Sequence, residues 1–105
     1  MNDEIRAQLN RYFFTARDFV DGRLSGPAFQ ERFLKDFKHD QRLYADPISE
    51  LLMMMFDEAE CYEPDPELLQ QLKLRDPKIY LSEDELRERA RGFVKKMGLI
   101  LARRG

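Results

Sequence analysis

The chain has 105 residues, with 18 bases against 20 acids and a formal net charge of -2. Its hydrophobic content of 43% and its eight Phe exclude a disordered tail and supply one core, so residues 1–105 are expected to form one domain. One Cys excludes an internal disulfide, and one Cys with one His is too few for a zinc site.

The N-terminus, Met1-Asn2-Asp3-Glu4-Ile5-Arg6, is acidic and amphipathic and lacks the apolar stretch of a signal peptide. The longest apolar run, Leu51 to Phe56, is six residues, far short of the roughly 20 needed to span a bilayer. These features, with the single Cys, fit a cytoplasmic protein without a membrane segment.

A first helix is predicted from about Asp3 to Asp21. Ile5, Leu9, Tyr12, Phe13, Ala16, Phe19 and Val20 recur at helical spacing on one face. Asn2 or Asp3 is suited to cap it, and Gly22 to close it. A second helix follows Ser25, with Leu24 and Phe29 spaced as a hydrophobic staple. Phe29, Phe33, Leu34 and Phe37 mark its buried face, and it should end near His39.

Asp46-Pro47 reads as the N-cap and first residue of a third helix. Its stripe is Ile48, Leu51, Leu52, Met55, Phe56, Ala59 and Tyr62, and Pro64 and Pro66 stop it. Pro66 to Leu72 has the pattern of a short helix, and Lys78 to Leu81 reads as extended. Ser82-Glu83-Asp84-Glu85 is a capping box for the last helix, with Leu81 and Leu86 as its staple. Leu86, Ala90, Phe93, Val94, Met97, Ile100 and Leu101 form its apolar face. Four amphipathic helices with mostly short connections predict an all-α fold, an antiparallel four-helix bundle.

The near-zero total charge conceals a strong dipole. Residues 40–68 carry nine acids against Arg42, a net of -8, whereas residues 87–105 carry seven bases against Glu88, a net of +6. Acids crowd the end of the third helix, where the helix dipole disfavours them. An acidic block of this kind is either a solvated face or a surface for a basic partner. On a helical projection Glu50, Asp57 and Cys61 lie roughly 200° from Ile48, with Met53, Met54 and Glu60 beside them. Met53 and Met54 therefore either pack under segment 68–81 or serve as adaptable apolar contacts within an acidic binding face.

Catalytic patterns are absent from the sequence. His39 and Cys61 are its only His and Cys, and the glycines have no phosphate-loop spacing. Acid pairs such as Glu60 and Glu63 are ordinary on solvated helices, so no enzyme, metal or cofactor is expected. The basic last helix, with Arg87, Arg91, Lys95 and Arg103, has the charge to grip phosphates, but no aromatic residues interleave with it. Its bases also suit the negative end of the helix dipole, so no direct nucleic-acid binding is expected.

The segment Leu24-Ser25-Gly26-Pro27-Ala28-Phe29-Gln30-Glu31-Arg32-Phe33, the run Ala59-Glu60-Cys61-Tyr62-Glu63-Pro64-Asp65-Pro66 and the capped last helix together resemble the bacterial self-protective colicin-like immunity proteins, the colicin D type in particular. The resemblance spans nearly the whole chain and is most specific at residues 59–65. It implies a four-helix protein that binds and occludes the basic nuclease domain of a bacterial toxin, a tRNase in the colicin D case. On that resemblance Glu60, Glu63 and Asp65 stand in for RNA phosphates and Asp57 extends the patch. Independently of the resemblance, Tyr62 or Met54 is suited to supply an apolar anchor beside these charges. The paired tyrosines of the DNase-type immunity proteins are not found here. The competing reading is a small helical adaptor or regulator of some other basic protein.

Overall fold

A computed structural model describes residues 2–103, which form five α-helices: α1 (Asp3–Val20), α2 (Gly26–His39), α3 (Ile48–Glu60), α4 (Pro66–Arg75) and α5 (Glu83–Arg103). The local signals at the first two helices act as expected. Asn2 Oδ1 accepts from the Ile5 N–H at 2.9 Å and caps α1. Gly22 takes φ 82°, which lets the Arg23 N–H reach the Asp18 carbonyl at 2.8 Å and the Gly22 N–H reach that of Phe19 at 3.1 Å. Ser25 Oγ caps α2 by accepting from the Ala28 N–H at 3.2 Å.

The start of α3 departs from expectation. Asp46 does not cap the helix: Pro47 is its first flanking residue, no side chain caps it, and the Asp46–Pro47 peptide is cis. Helical bonding instead begins at the Ala45 carbonyl, which accepts from the Ser49 N–H at 3.1 Å. The preceding loop is held by a different acid. Asp40 Oδ2 accepts from the Tyr12 hydroxyl at 2.8 Å and the Tyr44 hydroxyl at 2.6 Å, and Oδ1 accepts from the Arg42 N–H at 3.0 Å. The Asp40 side chain is only 2% exposed. Burial works against its charge, but the bonds from Tyr44, Arg42 and Tyr12 outweigh it and hold the carboxyl below its usual range. Burial and then Asp40 push both phenols well above theirs.

Four helices pack in a ring. The start of α1 meets the end of α5 where an Arg6 guanidinium nitrogen donates to the Leu101 carbonyl at 3.0 Å, and Phe19 near the end of α1 stacks on Phe29 near the start of α2 at 4.6 Å. Phe37 late in α2 meets Phe56 of α3 at 4.8 Å, and Glu58 late in α3 pairs with Arg89 early in α5 at 2.9 Å. The core inside the ring holds Leu9, Tyr12, Phe19, Phe29, Phe33, Leu52, Met55, Leu86 and Met97, all fully buried.

The all-α class therefore holds, but the helix count is five. The short helix expected at Pro66–Leu72 runs on to Arg75, buries none of its residues and lies outside the ring. The chain returns through one β-bridge, Tyr62 to Leu81, before the expected capping box. There Ser82 Oγ accepts from the Glu85 N–H at 3.2 Å and Glu85 Oε1 accepts from the Ser82 N–H at 2.9 Å.

Removing the Asp40 carboxylate leaves the partly buried Tyr44 hydroxyl without its acceptor and the Tyr12 hydroxyl with only the Asp36 carbonyl at 3.4 Å. Asp40→Ala is expected to cost about 3 kcal/mol in chemical denaturation. A loss below about 0.5 kcal/mol would place Asp40 among ordinary surface acids.

Candidate functional site

The outward face of α3 carries Glu50, the adjacent Met53 and Met54, Asp57 and Glu60, all exposed, at helical steps of three or four residues apart from the Met pair. Met53 is 50% exposed and Met54 55%. They do not pack under segment 68–81, because α4 lies outside the ring. Two apolar side chains thus sit among carboxylates on one surface.

Three contacts fix the chain just beyond this face. Gln30 Nε2 donates to the Ala59 carbonyl at 2.9 Å and the Tyr62 carbonyl at 3.0 Å, occupying acceptors that the helix end leaves open. The Leu81 N–H donates to the Cys61 carbonyl at 2.9 Å, and the Glu63 N–H donates to that of Leu81 at 3.1 Å. Finally, Glu83 Oε1 accepts from the Gly26 N–H at 2.9 Å and the Tyr62 hydroxyl at 3.3 Å. A Cβ on Gly26 would lie 2.6 Å from the Tyr62 hydroxyl, so this close approach requires glycine. The acidic run is a fixed corner.

The expected site residues fall into three groups there. Asp57 and Glu60 are exposed and, among the described residues, make no ion pair, while the intervening Glu58 is neutralised by Arg89. Glu63 and Asp65 serve the backbone as well. Glu63 is half-buried and its Oε2 accepts from the Asp65 N–H at 3.0 Å. Asp65 Oδ1 caps α4 by accepting from the Glu67 N–H at 3.0 Å and the Leu68 N–H at 3.5 Å. Tyr62 belongs to the core, with 6% exposure, so the surface-anchor role expected of it is not open to it. Its phenol is pushed up to about 12, chiefly by burial and then by Glu83. Met54 is the exposed one of the two expected anchors.

The concentration of negative charge is felt inside the corner. The half-buried Cys61 thiol is pushed up first by burial and then by Asp57, Glu60 and Glu58. No base lies in the last turn of α3 to offset them. The first three bases of α5 are spent within the fold. Arg87 pairs with Glu83 at 3.3 Å and Asp84 at 3.5 Å and lies 4.7 Å over the Phe19 ring. Arg89 pairs with Glu58, and Arg91 with Glu88. His39 is exposed, with Nδ1 at 2.8 Å from the Lys35 carbonyl, far in sequence from Cys61. Among the described residues no group of His, Cys, Asp and Glu could hold a metal, and no helix is long and apolar enough to cross a membrane.

Sequence reasoning missed Gln30 and Glu83, which position the corner, and Leu99, 53% exposed on α5. Leu99 was detectable as an apolar residue off the buried stripe of its helix. The positioning contacts join residues far apart in the chain and have no local signal.

The distinctive surface of this helical protein combines, among the described residues, carboxylates without an ion pair and exposed methionines. The chain belongs to the family described as bacterial self-protective colicin-like immunity, which matches residues 8–97 and so includes the whole acidic corner. It is accordingly a toxin-inhibiting immunity protein whose partner is a cognate toxin. No curated protein and no solved structure matches the chain.

The tether of α4 gives a pH test. Glu85 is held down at about 2, first by its bond from Lys73 and next by that from the Ser82 N–H. A depressed carboxyl contributes stability that is complete above its ordinary value of 4.5 and is lost as pH falls through about 2. The melting temperature of Glu85→Gln should therefore lie below that of the parent near neutrality and converge on it between pH 4.5 and 2. Parallel curves across that window would remove Glu85 from this role.

Proposed function

We propose that the chain binds and occludes the nuclease domain of its cognate bacteriocin, a tRNA-cleaving domain, in the cytoplasm of the cell it protects. Asp57, Glu60, Glu63 and Asp65 stand where the substrate's phosphates would lie, and Met54 packs beside them. Inhibition is stoichiometric and needs no catalysis.

The observation that carries this reading is the pairing pattern at the end of α3. Among the described residues Asp57 and Glu60 make no ion pair on this fixed corner, while Glu58 between them is paired with Arg89. The helix dipole makes each exposed acid there unfavourable by a few tenths of a kcal/mol. A fixed array of carboxylates in such a position suits an electropositive cleft built to hold phosphates. Arg and Lys in such a cleft would form short, charge-assisted bonds with it. The same field would steer encounter and speed association at low salt.

The test uses Asp57→Asn with Glu60→Gln, since neither residue serves the fold. The double variant should bind the toxin domain about a hundredfold more weakly, the scale of losing desolvated charge pairs. Its melting temperature should stay level or rise. Unchanged affinity would move the interface elsewhere, and unfolding would make the acids structural.

A further inference from the structure

Beside the acidic line, α3 and α5 leave a groove of about 300 Å³ lined by Pro47, Glu50, Leu51, Met54, Leu99 and Ile100, with Lys96 and Arg103 at its α5 edge. A second hollow of about 220 Å³ continues it toward Glu58 and Arg89 and shares Leu51, Met54 and Lys96. Gly92 opens the wall of this second hollow, because a Cβ there would meet nothing within 4 Å. The two half-exposed side chains flanking the groove, Met54 and Leu99, come from different helices, so the apolar surface is a cleft and not a scattered pair.

The partner of an immunity protein is its cognate toxin, and charge and size narrow what that toxin inserts here. Glu50 on the groove's α3 edge belongs to the same helix face as Asp57 and Glu60. Lys96 and Arg103 stand on the opposite edge, so the two rims of the groove differ in sign and an apolar floor lies between them. The volume suits one large side chain, at the lower bound for a small-molecule site.

We propose that the α3/α5 groove is the anchor pocket of the toxin interface, seating one large apolar side chain of the toxin between Met54 and Leu99 while bases on the same toxin segment meet Glu50 and Asp57. This rests on the immunity reading and adds a determinant of which toxin is recognised. Flat charge complementarity gives speed and general preference for basic partners; a filled apolar pocket beside it discriminates one basic surface from another. Met54 is shared by both parts of the surface, and its flexible side chain can adjust to the shape it meets.

The experiment measures calorimetric binding of the catalytically disabled nuclease domain of the toxin from which the chain protects cells. It compares the full chain with Leu99→Ala, Gly92→Leu, and Asp57→Asn with Glu60→Gln, at low and high salt. Leu99→Ala removes one wall and Gly92→Leu fills the adjoining hollow; neither changes charge, and a melting curve confirms that each folds. Each should weaken binding about tenfold, equally at both salt concentrations, as loss of an apolar anchor does. The charge variant should lose less at high salt, where the field is already screened. If both groove variants bind like the parent while the charge variant is weakened, the anchor proposal fails and the immunity reading stands. If all three bind like the parent, both site assignments fail. A chain that protects against no toxin and binds none overturns the immunity reading and the anchor with it.

Discussion

The carboxylate of Glu83 joins three helices at one point. It starts α5, accepts the Gly26 N–H at the start of α2, and accepts the hydroxyl of Tyr62 just past the end of α3. The first turn of α2 contains no acid of its own, so Glu83 also supplies the negative charge its positive end favours. Gly26 makes the approach possible by leaving room where a methyl group would collide with both partners. Once Tyr62 is fixed, the backbone from Ala59 to Asp65 has little freedom, and Glu60 and Glu63 leave the bundle in set directions. Gln30 and the Tyr62–Leu81 bridge reinforce the same corner from the sides.

Within that frame the charges divide by use. Glu58, Glu83 and Glu85 meet Arg89, Arg87 and Lys73. The pairs of Glu58 and Glu85 tie α3 and α4 to α5, and that of Glu83 lies within α5; at the surface each contributes little by itself. Among the described residues Asp57 and Glu60 stay outside this pairing. A bundle selected for stability alone would pair them, replace them, or move them to the start of a helix. Their retention at the disfavoured end is the kind of local conflict that accompanies a binding surface. On the proposed reading, charge left outside ion pairs on a rigid support speeds association with the toxin.

The parts of the fold that were legible in the sequence are those decided within a few residues. The Asn2 and Ser25 caps, the Gly22 close of α1 and the Ser82–Glu85 box each use neighbours three or four positions apart, and all form. Asp46-Pro47 has the same local credentials, yet the loop before it is organised by Asp40 through Tyr12, a residue in another helix. Tyr62 shows the converse. Periodicity set it on the apolar stripe of α3, the anchor role set it on the surface, and the packing agrees with periodicity. The two alternatives for Met53 and Met54 turned on whether α4 packs against α3, which no pattern within either helix encodes. The groove beside Leu99 likewise requires two helices at a given separation, so it was invisible until both were placed.

The central claim is that the acidic face occupies the place of the toxin's RNA phosphates, and competition tests it most directly. Inhibition of the toxin's nuclease domain would be measured at fixed inhibitor over a range of tRNA concentrations, with chain and RNA added together. Mutually exclusive occupancy requires the inhibitor concentration for half-inhibition to rise in proportion to RNA once the substrate is above its KM. A half-inhibition point that ignores RNA concentration, or a stable ternary complex of toxin, chain and RNA, would contradict the account.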